Sequence, residues 1–232
     1  MAVPATLGTH SWTELDARGS DVVLAVPVGS CEQHGPHLPL STDTIVAEAL
    51  CEALARHRRD VTVAPAVGIG ASGEHAGFAG TLSIGTEALA ACLTELIRSA
   101  RGWSRAVVLV SGHGGNADAI ASVVGTAAAD GDVVVAYAPR LKGADAHAGR
   151  TETSLVLALA PQLVRHNEAV IGNTAPLGEL AVALRRDGVA SVSKNGVLGD
   201  PTGASAATGR DLLASLVADL AVTVDGALGA LT

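Results

Sequence analysis

Residues 21–43 have the sequence DVVLAVPVGSCEQHGPHLPLSTD, and this stretch decides the fold class. After Asp21, residues 22–28 form a continuous apolar run rather than an alternating one. Such a run is typical of a β-strand that is covered on both faces, as in a parallel sheet. The residues that follow are polar and include glycine and proline, which predicts a loop at the carboxyl end of the strand.

The rest of the chain repeats this pattern of strand and helix. Further β-branched runs predict strands at residues 61–64, 105–110 and 132–137. Apolar residues at helical spacing and small-residue stretches predict helices at residues 44–56, 86–100, 117–129 and 206–228. The alternation predicts a three-layer α/β fold, with a mainly parallel β-sheet flanked by helices. We expect one domain over residues 1–232, with an irregular segment at 188–208.

Charge and composition exclude several classes of protein. The 232 residues include 15 Lys and Arg against 23 Asp and Glu, which gives a formal charge of −8. This balance argues against a nucleic-acid surface, which needs clustered basic groups. No apolar run approaches the roughly 20 residues of a membrane-spanning helix, and no signal peptide is visible. The three cysteines have no close spacing, so we expect a cytoplasmic protein without a disulfide framework or a CxxC zinc cluster.

The loop after the first predicted strand contains three candidate metal ligands. Glu32 and His34 are two residues apart, and residues i and i+2 of extended backbone point to the same side. A carboxylate and an imidazole would then converge on one point. Asp43 begins a predicted helix, where it could cap the first turn or reach back to the same ion. Taken together, the three residues favour metal binding over separate structural roles.

Two more polar loops should open at the same edge of the sheet, where α/β folds bind their ligands. Residues 111–116 (SGHGGN) contain His113, and neutral imidazole is a common metal ligand. Residues 147–154 (HAGRTETS) contain His147 and Glu152. Glu152 precedes an apolar stretch, and a carboxylate in a first helical turn is also favoured by the helix dipole alone. Neither GxxxxGK[ST] nor GxGxxG occurs, so nucleotide binding is weakly supported.

The candidate ligands are three carboxylates and two imidazoles, namely Glu32, His34, Asp43, His113 and Glu152. A mixed nitrogen and oxygen set without thiolate suits Zn, Mn or Fe(II). With Asp43 as a bridge, two divalent ions would each have three protein ligands. Such a pair activates water at neutral pH, which predicts hydrolysis of an amide or related C–N bond. His147 is the candidate acid that protonates the departing nitrogen.

A fourth segment, GASGEHAGFAGT at residues 70–81, is rich in glycine. Its Ser72 and His75 are candidate substrate-binding residues, together with Gly114 and Asn116 of the SGHGGN loop. For His75 and the adjacent Glu74 a purely structural role is equally open.

Four strings resemble the creatininase family of metal-dependent amidohydrolases. They are PVGSCEQHGPHLPLSTDT (27–44), EHAGFAGTLS (74–83), SGHGGN (111–116) and HAGRTETS (147–154), and they occur in the family's order. The resemblance implies a creatininase-like fold, a two-metal site, hydrolysis of a C–N bond and a homo-oligomer, a hexamer or larger. The family's metal residues fall on Glu32, His34, Asp43 and His113. Its catalytic histidine and the glutamate that follows fall on His147 and Glu152.

Two positions depart from creatininase itself. It has a metal-binding glutamate at the position of Gly115, so Glu152 is expected to replace the fifth ligand. It has a tryptophan at the position of Gly143, so the aromatic wall for a small flat ring is missing.

CEQHGPHLPL and the tail SVSKNGVLGDPTGASA (191–206) more closely resemble the mycofactocin-system branch of the family. That resemblance implies a peptidase that releases a crosslinked, decarboxylated C-terminal Val-Tyr unit from a modified precursor peptide. The tail at 194–205 is then expected to shape the pocket, either its own or that of a neighbouring subunit.

Two alternatives remain open at this point. The first is another amidohydrolase of the same family, such as a formamide hydrolase of flavin or deazaflavin biosynthesis or a creatinine hydrolase. The second is a metal-binding scaffold without catalysis. A substrate panel distinguishes the other amidohydrolases from a peptidase. Replacement of His147 distinguishes the scaffold from an enzyme, because only an enzyme would lose turnover.

Overall fold

The computed structural model describes residues 6–229. The strands are β1 (Val23–Val28), β2 (Val61–Val63), β3 (Ala106–Ser111) and β4 (Val134–Tyr137). The helices are α1 (Trp12–Asp16), α2 (Thr42–His57), α3 (Gly85–Ala100), α4 (Ala117–Ala129), α5 (Arg150–Leu159), α6 (Leu177–Asp187), α7 (Val189–Val192) and α8 (Ala206–Leu228). None of these described helices is long and apolar enough to cross a membrane.

The four strands form one parallel sheet in the order β2-β1-β3-β4. Every residue of β1, β2 and β3 is buried, in agreement with the largely apolar sequences of these strands. The predicted α/β fold with a parallel sheet is therefore confirmed.

Apolar side chains pack on both faces of the sheet and define the three layers. Successive residues of a strand point to opposite faces, so β1 contributes to both layers. One cluster joins Val23 and Ala25 of β1 to α2, α5 and α8, and the other joins Leu24 and Val26 to α3 and α4.

The strand order creates a crevice at one edge of the sheet. The chain passes from β1 to β2 through α2 on one face, and from β2 to β3 through α3 on the other face. The connections therefore diverge between the carboxyl ends of β1 and β3. In open α/β sheets this topological switch point is where ligands bind. The polar loops that follow β1 and β3 flank this crevice.

The structure differs from the sequence prediction after β4. α6 was not predicted, and the segment at 188–208, expected to be irregular, contains the short helix α7, whereas the last helix begins at residue 206 as predicted. α6 and α7 pack in a small apolar cluster of their own around Leu180, Val189 and Leu198. A single turn such as α7 is too short to show helical periodicity, because the pattern needs at least two or three turns.

α8 approaches α5 very closely at Gly209. A Cβ atom at this position would lie 1.8 Å from the carbonyl oxygen of Ser154 and 3.0 Å from the Cβ of Ala158. The contact therefore needs a glycine, although glycine disfavours a helix. This packing fixes α5, the helix whose first turn contains Glu152.

We expect Gly209→Ala to destabilise the protein by about 1–3 kcal/mol, because the added methyl group overpacks the α5–α8 contact. Gly226→Ala is the matched control in the same helix, since no atom lies within 4 Å of its Cβ position. That variant should be neutral or stabilised by up to about 1 kcal/mol. Urea unfolding of both proteins measures the difference, and equal stability of the two variants would contradict the packing argument.

Candidate metal centre

The candidate ligands come from four segments that meet at the crevice. Glu32 and His34 lie in the loop after β1, and Asp43 is in the first turn of α2. His113 follows β3, and Glu152 is in the first turn of α5. Glu32, His34, Asp43 and His113 are buried, whereas the side chain of Glu152 is 26% exposed.

These side chains form two groups that share Asp43. Glu32, Asp43 and His113 form one group, and His34, Asp43 and Glu152 form the other. Within each group, one ligand atom per residue lies within 4.8 Å of the others. Oδ1 of Asp43 lies 3.1 Å from His34 Nε2, and its Oδ2 lies 3.3 Å from His113 Nδ1. The two oxygens of Asp43 thus face different groups, as a bridging carboxylate requires.

The surroundings of Glu32 fit a bound cation. Its side chain is fully buried, and neither carboxylate oxygen has a hydrogen-bond partner among the described residues. His113 Nε2 approaches Oε2 to 3.1 Å but is not aligned to donate a hydrogen bond. An ionised carboxylate without a partner is costly in a protein interior. Burial accordingly raises the pKa of Glu32. A divalent ion held by this carboxylate would remove that cost.

The buried carboxylates raise the pKa values of His34 and His113. Burial opposes protonation of His34, but the Asp43, Glu152 and Glu32 carboxylates outweigh it and raise the pKa of His34 to about 9. The pKa of His113 is raised for the same reason. Burial alone would raise the pKa of Asp43, but the two imidazoles hold it well below its usual range. The carboxylates of this site therefore favour positive charge close to them.

His75 and His147 are in a different electrostatic state. Burial, reinforced by neighbouring imidazoles, lowers the pKa of His147 to about 4 and that of His75 to about 2. Both rings are therefore neutral at pH 7. The His147 ring centroid lies 4.3 Å from that of His34 and 4.5 Å from that of His75. His147 also forms a third potential ligand group with Glu32 and His34.

A cavity of about 850 Å³ opens above these groups. Asp43, His113, His147 and Glu152 contribute to its wall. Of the candidate substrate-binding residues, His75 and Gly114 also line it.

Ser72 and Asn116 do not line this cavity. Ser72 is fully buried, and its hydroxyl has no hydrogen-bond partner among the described residues. Asn116 accepts a hydrogen bond from Ala71 N at 2.9 Å and donates one to Gly29 O at 3.0 Å. Asn116 therefore joins two loops behind the site, and its position does not support the predicted contact with substrate.

Two further residues complete the environment of the ligands. Ser30 Oγ donates a hydrogen bond of 2.6 Å to Asp43 Oδ2. Glu74 Oε1 lies 3.4 Å from His113 Nε2, and a Cβ at Gly115 would lie only 2.6 Å from this oxygen. The Glu74 carboxylate thus occupies the space above Gly115.

The C-terminal tail lies against the site of its own chain. His147 forms a bridge with Leu198, in which each backbone N–H donates to the other residue's carbonyl oxygen at 3.1 and 2.9 Å. Gly196 O accepts a hydrogen bond of 3.0 Å from the side chain of Gln33. The segment at 194–205 therefore contacts the His147 loop, and its Leu198 lines the cavity.

Known proteins are similar to this chain over most of its length. The family model described as creatinine amidohydrolase matches residues 9–224. The chain is 48% identical over 222 residues to the mycofactocin precursor peptide peptidase of Mycolicibacterium smegmatis, covering 94% of this chain and 89% of the relative.

Solved structures show the same fold. A crystal structure of creatinine amidohydrolase (creatininase) superposes with a TM-score of 0.82 and 26% identity, over 97% of this chain and 98% of the other. A manganese form of creatininase ("Creatininase Mn") gives a TM-score of 0.80 at 26% identity, over 96% and 98% of the two chains. The chain belongs to the creatininase family, whose members are metal-dependent amidohydrolases.

Proposed function

We propose that this protein is a metal-dependent peptidase that cleaves the modified mycofactocin precursor peptide and releases its crosslinked, decarboxylated C-terminal Val-Tyr unit. The observation that carries the reaction class is the pair of ligand groups joined by Asp43 beside an open cavity. The substrate is supported by the relative at 48% identity, which is named for this activity.

The cavity suits a peptide better than a small flat ring. None of the described residues that line it is Trp, Tyr or Phe. Its volume of about 850 Å³ is near the upper end of the usual range for ligand pockets. Both features favour a peptide segment over creatinine.

We infer that two divalent ions occupy the centre. Glu32, Asp43 and His113 would hold one ion, and His34, Asp43 and Glu152 would hold the other. When bound, such ions polarise the scissile carbonyl group and activate the attacking water. The oxygen and imidazole ligands suit Zn, Mn or Fe(II), and a manganese form among the similar structures supports this range.

We propose that His147 moves the proton of the reaction. Its Nδ1 lies 3.9 Å from Glu32 Oε1, and its lowered pKa leaves the ring free to accept a proton. His147 takes a proton from the attacking water and gives it to the departing amine as the C–N bond breaks. Glu152 Oε2 accepts a hydrogen bond of 2.5 Å from Ala148 N and so holds the His147 loop beside the ligands.

We also propose a homo-oligomer, a hexamer or larger, that acts in the cytoplasm. The proposal is supported by the oligomeric state of the creatininases of similar structure. Trp12, Val182 and Val222 are each at least 70% exposed and are apolar side chains that a subunit contact would cover. The three cysteines are free thiols, as is usual in a reducing compartment. Analytical ultracentrifugation measures the assembly.

We expect Glu32→Gln to lower both metal content and peptide hydrolysis. The substitution removes the charge of the buried carboxylate but keeps its shape. Activity should fall about 100-fold or more, because several kcal/mol of transition-state stabilisation depend on the ions and 1.36 kcal/mol corresponds to a factor of ten. Metal analysis and product mass spectrometry measure the two effects, with the exposed Glu87→Gln as the matched control. Full metal content in Glu32→Gln would contradict the assignment of this ligand.

We expect His147→Gln to retain both ions and to lose turnover by about 10²–10⁴-fold, the usual range for a general acid–base residue. Loss of turnover with both ions retained would indicate a catalytic role for His147. If His147 were a metal ligand, the variant would lose metal as well. Unchanged function in this variant would favour the non-catalytic scaffold.

A substrate panel tests the reaction itself. The Zn-, Mn- and Fe(II)-loaded protein is incubated with the crosslinked precursor peptide, creatinine and a formamide, and products are identified by mass spectrometry. Of the three substrates, we expect only the peptide to react, with release of its C-terminal fragment. Turnover of only a small amide would keep the metal chemistry but overturn the assigned substrate.

A further inference from the structure

The side chain of Gln33 lies at the centre of a buried hydrogen-bond network. Its Oε1 accepts a hydrogen bond of 2.8 Å from Gly35 N, and its Nε2 donates one of 3.0 Å to Gly196 O. A backbone N–H can only donate and a carbonyl oxygen can only accept, so these two contacts fix which end of the amide is oxygen. The approach of Gly196 is so close that a Cβ there would lie 1.8 Å from Oε1.

The backbone of Gln33 determines the tautomer of His147. His147 Nε2 lies 2.8 Å from Gln33 O, which can only accept a hydrogen bond. Nε2 therefore has the hydrogen of the neutral ring. Nδ1 is left without a hydrogen, and it is the nitrogen that faces Glu32 Oε1.

The side chain of Gln33 then determines the tautomer of His75. Nε2 of Gln33 has two hydrogens, and one of them is directed to Gly196 O. The nearby Nε2 of His147 already has a hydrogen and cannot accept the other. The second hydrogen is therefore donated to His75 Nδ1 at 2.9 Å. The hydrogen of the His75 ring must then be on Nε2, which lies 3.3 Å from Glu32 Oε1.

We propose that Gln33 is a positioning residue that holds His75 and His147 in the Nε2–H tautomer, so that the two rings present opposite groups to Glu32. His147 presents a proton acceptor, and His75 presents the positive end of its Nε2–H bond 3.3 Å from Glu32 Oε1, an electrostatic contact that is not aligned as a hydrogen bond. For neutral rings the tautomers follow from hydrogen bonding, and only their use in catalysis rests on the proposed hydrolysis.

Long-range ¹H–¹⁵N correlation spectra of the Zn-loaded full chain test the tautomers directly. The His75 and His147 signals are assigned from His75→Gln and His147→Gln. In the wild-type protein both rings should have the hydrogen on Nε2. A hydrogen on Nδ1 of either ring would overturn the proposal. This test needs neither a variant of Gln33 nor an assay of activity.

Gln33→Glu tests whether the amide is the cause. An ionised carboxylate has only acceptors, so His75 should move its hydrogen to Nδ1, whereas His147 should keep its tautomer because its partner is a backbone carbonyl. The His75 ring then no longer presents an N–H group to Glu32. We therefore expect the variant to bind Zn about 10–100-fold more weakly in a chelator competition.

Gln162→Glu on the exposed surface makes the same chemical change and should alter neither readout. Gln33→Met covers the case in which the glutamate variant does not fold, and it should leave His75 in a mixture of tautomers. An unchanged His75 signal in a folded Gln33 variant would overturn the proposal. The spectra involve no substrate, so a wrong choice of substrate would not change this outcome.

Discussion

The buried negative charge of Glu32 and Asp43 is the constraint on which the rest of the site depends. Both carboxylates lie in the crevice between β1 and β3, almost entirely removed from water. Their charge must be balanced locally, because isolated ionised groups are costly in the interior. These carboxylates raise the pKa values of His34 and His113, and neither oxygen of Glu32 has a hydrogen-bond partner among the described residues, an environment that suits a cation.

Close backbone packing makes this concentration of charge possible. A Cβ at Gly112 would lie 2.2 Å from the carbonyl oxygen of Asp43, and one at Gly29 would lie 2.1 Å from Thr44 Oγ1. The ends of β1 and β3 can therefore contact the first turn of α2, which contains Asp43. Any side chain at either glycine would push the helix away from the sheet and separate the carboxylate from its partners. The sheet edge thus sets the distances of the metal centre.

The chemistry and the substrate wall belong to different parts of the fold. The ligands lie on loops that continue directly from the strands or begin helices packed on the sheet. The outer wall of the cavity comes from α6 and α7, which pack in a separate apolar cluster with Leu198. In this arrangement the residues of the wall can differ without any change in the spacing of the candidate ligands.

Local patterns in the sequence determined the strands, most helices and the five candidate ligands, because continuous apolar runs, helical spacing and residues two apart in extended backbone all act over short distances. Tertiary structure alone decided the network of Gln33, whose partners His75, His147 and Gly196 are 42, 114 and 163 residues away. By the two-residue rule Gln33 points away from Glu32 and His34, so its sequence position suggests no role in the site. Asn116 shows the converse, since a polar residue in a predicted site loop is used to hold Ala71 and Gly29. Hydrogen bonds to distant partners have no periodicity along the chain, and only the folded arrangement brings donor and acceptor together.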